Sequence, residues 1–144
     1  MKRHFRAILI PIVTLALMAP AQMAHAAPAA QAFCAGVPAT IVGGPGPDVL
    51  NGGPGNDVIQ GNDGNDTIYG NGGNDLICGG PGDDQIDGGD GIDTIYGNDG
   101  NDRLRGGNGN DNLFGGADND GHDGGPGNDY CFDNTGAVNV FVSC

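Results

Sequence analysis

From residue 43 onward a large aliphatic side chain recurs every nine residues: Leu50, Ile59, Ile68, Ile77, Ile86, Ile95, Leu104 and Leu113. An amphipathic helix would bring apolar positions back every third or fourth residue, and a half-buried strand every second one. A nine-residue period is neither. It is the mark of a short unit repeated along a coil, with one inward side chain per unit. Between the aliphatics lie glycine, asparagine and aspartate, and Gly and Asn accept positive φ with little steric penalty. The first six residues of each unit are therefore predicted to form a tight turn and the last three a short strand. Alternation sends the eighth position inward and the seventh and ninth outward.

Ten consecutive units run from Gly43 to Phe132 without a slipped residue. Position one is Gly in all ten, and position two is Gly except at Asn62, Asn71 and Asn98. Position four is Gly in nine, the exception being Asp118. Position six is Asp throughout: Asp48, Asp57, Asp66, Asp75, Asp84, Asp93, Asp102, Asp111, Asp120 and Asp129. Position eight turns from aliphatic to His122 and Cys131 in the last two units.

This pattern, GGxGxDxUx with U a large aliphatic, resembles the RTX (repeats-in-toxin, hemolysin-type) calcium-binding repeat. The resemblance implies an all-β, right-handed parallel β-roll, a β-solenoid with two units per turn, so that odd units stack on one flank and even units on the other. It also implies Ca²⁺ between units n and n+2, held by backbone carbonyls of the first four positions and by a carboxylate oxygen from each of two Asp. All ten position-six Asp are thus candidate metal ligands. Ten units paired in this way give up to about eight ions, with Asp66 to Asp111 each serving two sites and Asp48, Asp57, Asp120 and Asp129 one. An all-oxygen set suits Ca²⁺ better than Mg²⁺, which demands stricter octahedral geometry, or Zn²⁺, which prefers His and thiolate.

Residues 1–26 differ from everything after them. Lys2, Arg3 and Arg6 precede an apolar run from Ala7 to Met18, and Ala24-His25-Ala26 supplies small residues for cleavage. A secretory signal peptide is expected, cut after Ala26. The domain division expected is leader 1–26, N-terminal cap 27–42, repeats 43–132 and C-terminal cap 133–144.

Composition sharpens the picture. The 144 residues include 30 Gly and 18 acidic groups, all of them Asp, against five Lys or Arg, for a formal charge of −13. Cleavage would leave Arg103 and Arg105 as the remaining cations against the 18 Asp, or −16. Such a field repels nucleic acid and anionic membrane surfaces and attracts cations. One large aliphatic per nine residues makes a thin core, so the metal-free chain is expected to be largely unfolded and to fold on binding Ca²⁺.

Four cysteines, Cys34, Cys78, Cys131 and Cys144, would reach an oxidising space, and two disulfides are expected. In a roll of the implied kind Cys78 and Cys131 lie three turns apart, about 14 Å at ~4.8 Å per turn, too far to join. Cys34–Cys78 with Cys131–Cys144 is the favoured pairing; Cys34–Cys131 with Cys78–Cys144 stays open. Unit nine, with Ala117, Asp118 and His122, reads as a fraying end of the coil. Tyr69, Tyr96, Phe114 and Phe132 all occupy position nine and, with Cys78, are expected to face outward as one patch.

An enzyme is not expected: HExxH and GxSxG are absent, and the mature chain keeps one His and one Ser. Ice binding through an outward Thr array is disfavoured, since position three contains no Thr. The expected function is a secreted, extracellular, monomeric calcium-binding protein without a membrane span. An extracellular adhesin or matrix protein, using the calcium-rigidified roll to hold a partner, is the alternative.

Overall fold

A computed structural model describes residues 32–134 and 140–144 of the chain. The predicted leader lies outside them. No helix occurs among the described residues, and fourteen strands follow one another. A small antiparallel hairpin comes first, β1 (Phe33–Cys34) and β2 (Val37–Pro38), turning at Ala35 and Gly36, both with positive φ.

The remaining strands alternate between two parallel sheets of six. One sheet carries the even units: β3 (Ile41–Val42), β5 (Val58–Gln60), β7 (Leu76–Pro81), β9 (Thr94–Asp99), β11 (Asn112–Ala117) and β13 (Tyr130–Phe132). The other carries the odd units: β4 (Val49–Asn51), β6 (Thr67–Gly72), β8 (Gln85–Asp90), β10 (Arg103–Asn108), β12 (Gly121–Asp123) and β14 (Val140–Val142). The result is a parallel β-solenoid of about five turns, the coil expected from the nine-residue period.

Register follows from the repeat. Ile68 pairs with Ile86 and Ile86 with Leu104, while Ile59, Ile77, Ile95 and Leu113 align in the opposite sheet. Each step is one full turn of 18 residues, so identical positions stack. Ile59, Ile68, Ile77, Ile86, Ile95, Leu104 and Leu113 form the buried core, with Ile41, Leu50 and Cys131 packed against it. Burial of each such side chain contributes roughly 1.5–3 kcal/mol.

Both ends extend beyond the ten units. Ile41 pairs with Ile59 as a rung of the even-unit sheet, and Val140–Val142 pairs with Gly121–Asp123 as the last rung of the odd-unit sheet. There the step lengthens by one residue, since His122 pairs with Phe141.

Unit nine does not fray. Strand β12 is paired on both sides, and His122 is buried in the line of core aliphatics. Burial lowers its pKa, against the pull of the Asp133 carboxylate, which favours the neutral ring an apolar interior accepts. Asp118 takes the place of the position-four glycine with φ +77°, a left-handed conformation that aspartate tolerates better than most residues.

Two disulfides close the structure, Cys34–Cys78 and Cys131–Cys144, the favoured pairing. The first pins the hairpin to the outer face of β7. The second ties the chain end to the inward side of β13, the last rung of its sheet.

Candidate metal centre

The ten position-six carboxylates fall into two columns, one beside each sheet. Within a column they are linked rung to rung. The backbone N–H of Asp48 donates to Oδ1 of Asp66 at 2.8 Å, that of Asp66 to Asp84 at 2.8 Å, and that of Asp84 to Asp102 at 2.9 Å. The other column repeats this from Asp57 through Asp75, Asp93 and Asp111 to Asp129. Each inner carboxylate thereby spends one oxygen on holding the turn before it.

The second oxygen has a different fate. Oδ2 of Asp66, Asp75, Asp84, Asp93, Asp102, Asp111 and Asp129 is buried with no hydrogen-bond partner. A buried, unpaired carboxylate oxygen is costly, and native structures contain few of them. Asp48 and Asp57 differ, because their Oδ2 atoms accept the N–H of Gly44 and Gly53 in their own loops, at 2.5 and 2.6 Å. Among the described residues no earlier repeat unit stacks on these two loops.

The orphaned oxygens converge with carbonyls on the position-one glycines. A Cβ placed on Gly88 would meet Asp93 Oδ2 and lie 2.7 Å from the carbonyl oxygen of Gly106; at Gly97 the same space lies between Asp102 Oδ2 and the Gly115 carbonyl, at 2.6 Å. Only glycine leaves this cradle open, which is the physical reason position one is invariant across the ten units. Among the described residues no three His, Cys, Asp or Glu side chains cluster as a metal site. The donors gathered here are carboxylate and carbonyl oxygens, a set that fits a hard cation such as Ca²⁺.

Electrostatics point the same way. Burial raises the pKa of Asp102 to about 7 and of Asp84, Asp93 and Asp120 to about 6, with neighbouring carboxylates adding to the shift. The backbone N–H each one accepts opposes it. Asp66, Asp75 and Asp111 are raised for the same first reason. A bound cation would reverse the sign of this environment.

One bonding system was missed in the sequence. The position-five side chains form a second ladder running the other way: Asn56 Oδ1 accepts from Asn74 N at 2.7 Å, Asn65 from Asp83, Asn74 from Ile92, Asp83 from Asn101 and Asn110 from Asn128. The signal was present as asparagine at seven of the ten position-five sites. Asp83 is part of this ladder, and its hydrogen bonds to Asn101 lower its pKa. Exposed Arg105 meets half-buried Asp87 at 3.1 Å, and Asp90 accepts from Asn108 at 2.7 Å.

The aromatic patch divides. Tyr69 lies on the odd-unit sheet beside Asp87, whereas Tyr96, Phe114 and Phe132 lie on the even-unit sheet. There Tyr96 stacks on Phe114 with ring centroids 4.9 Å apart, and Tyr130 joins Phe114 to Phe132 at 6.0 and 6.5 Å.

No match was found among curated proteins or solved structures. Four copies of the RTX calcium-binding nonapeptide repeat match the chain, at residues 40–61, 51–86, 87–121 and 96–131. Together they span residues 40–131. The chain belongs to the RTX calcium-binding nonapeptide repeat family, and its repeats bind calcium.

Proposed function

We propose that this is a secreted protein whose roll takes up about eight Ca²⁺ ions between stacked turns and folds as it does so. The column of buried, unpartnered Oδ2 atoms carries this reading. Position-six Asp of units n and n+2 would hold each ion together with loop carbonyls, and the metal would supply positive charge where burial now disfavours the carboxylates. The basic, apolar start of the chain and two disulfides support export to an oxidising space. Among the described residues no helix is long and apolar enough to cross a membrane.

Isothermal calorimetry of the exported form with Ca²⁺, alongside far-UV circular dichroism in EGTA, tests the proposal. About eight ions bound with a coil-to-strand transition is the expected result. A strand-rich spectrum unchanged by EGTA would refute coupled folding.

A second reading, an extracellular adhesin or matrix protein that presents the rigidified roll to a partner, is favoured by one observation. The even-unit sheet carries exposed aromatics on its outer face.

A further inference from the structure

The two outer faces of the roll differ in charge. The odd-unit sheet presents Asp87, Arg103, Arg105 and Asp123. On the even-unit sheet, positions seven and nine of the repeats, which face outward from Val58 to Phe132, carry no charge, and the one carboxylate of these strands, Asp99, stands at the far end of β9. Six of the eight exposed large hydrophobics belong to this flank or its hairpin: Phe33, Val37, Val42, Ile92, Tyr130 and Phe132. The hairpin covers the face at β5 and β7, and the described residues leave the Tyr96–Phe114–Tyr130–Phe132 ladder uncovered.

We propose that this charge-free aromatic strip binds a neutral oligosaccharide segment, an inference that rests on the second reading above. Charge narrows the partner first. An anionic chain finds no cation on the strip to pair with, and a cationic one is drawn to the carboxylate-bearing loops instead. An uncharged ligand meets neither effect.

Size narrows it next. The three uncovered rungs, two steps of about 4.8 Å, and three extended residues across give a strip of roughly 10 by 10 Å. That is about 100 Å², whereas a stable protein interface needs about 800 Å² from each partner. A second copy of this chain or a globular partner would find too little here, but a linear sugar chain has a narrow footprint.

The side chains supply the chemistry. Tyr130 and Phe132 are 54% and 46% exposed and offer apolar ring surface to sugar C–H faces, while Tyr96 and Phe114 spend part of theirs on each other. Thr94 and Asn112, beside Tyr96 and Tyr130, supply neutral hydroxyl and amide groups for sugar hydroxyls. The Cys131–Cys144 bond anchors β13 between its two aromatic residues, so the platform is held before ligand arrives.

The test uses the full exported chain loaded with Ca²⁺ and probed with cello-, malto- and N-acetylated chito-oligosaccharides, with polygalacturonate as the anionic control. At least one neutral oligomer should bind, and Tyr130→Ala with Phe132→Ala should weaken it about tenfold, while Tyr69→Ala on the opposite face leaves it within about twofold. Saturation transfer from aromatic protons to bound sugar reads the same contact without any substitution. A calcium titration by circular dichroism on each sample reports folding separately, so failure of sugar binding is not confused with failure of calcium binding. The proposal is overturned if no neutral oligomer binds at millimolar concentration, if polygalacturonate binds as well, or if the double variant binds unchanged. Concentration-dependent dimerisation abolished by the same two substitutions would assign the strip to a second copy and overturn it too.

Discussion

Asp84 and Asp102 stand one turn apart, and the backbone N–H of Asp84 donates to Oδ1 of Asp102 at 2.9 Å while Oδ2 of both lies buried without a partner. Each carboxylate therefore has one oxygen committed to the protein and one left for a cation. In the proposed arrangement Asp84 would border a site on either side of its turn. Asp48, in the first unit, would border one, and its Oδ2 already accepts from Gly44.

It follows that Asp84→Ala should lower calcium affinity by about tenfold or more at two sites and reduce cooperativity, with Asp48→Ala milder. Calorimetric titration of both variants checks this. Equal losses would count against the stacking.

Gly88→Ala should damage a site in the other column, beside Asp93, without touching a charge. Its Cβ would fall on Asp93 Oδ2 and the Gly106 carbonyl, and strain of this kind costs about 1–3 kcal/mol. Gly55→Ala is the control, since nothing lies within 4 Å of a Cβ there. The calcium concentration at half-folding should rise about tenfold for the first and barely move for the second.

Proton linkage provides a third test. Below about pH 4 these Asp are protonated in folded and unfolded chains alike, and burial carries no charge penalty. As pH rises the unfolded chain ionises first, because the folded values are raised, to about 6 for Asp84 and about 7 for Asp102. The metal-free roll therefore loses stability across that window. Calcium needs the ionised form, so binding near pH 6 should release protons and the apparent affinity should fall between pH 7 and 5. Calorimetry in two buffers of different ionisation enthalpy measures the release. An affinity flat over that range would contradict the assignment.

Cys131→Ser with Cys144→Ser should destabilise the calcium-loaded roll. The bond spans 13 residues, and a closed loop of about that size contributes roughly 3 kcal/mol. Thermal unfolding in excess Ca²⁺ gives the difference, and an unchanged midpoint would mean the last rung holds without it.

How much of this was legible beforehand depended on what a single unit can show. Position eight inward and position six as Asp recur in every unit, so Ile77 and Asp84 were readable from the period alone. The resemblance supplied the stacking of n on n+2, but its consequences for side chains at positions five and nine went unread. Tyr69 and Tyr96 have the same position within their units but face opposite sides of the molecule, and the Asn56–Asn74 bond joins residues no single repeat brings together. His122 misled because a polar residue at an apolar position suggests an unravelling end, whereas the rung beyond it, carrying Phe141, keeps the coil closed.

Pro47 has a consequence for life in a crowded medium. At this place in most later units a main-chain donor is held by the side chain one turn earlier, and among the described residues the first unit has no repeat unit before it. Proline there, with Pro45 beside it, removes donors from the open rim of the coil. Another roll arriving end-on finds fewer groups to pair with, which discourages the molecules from polymerising into threads.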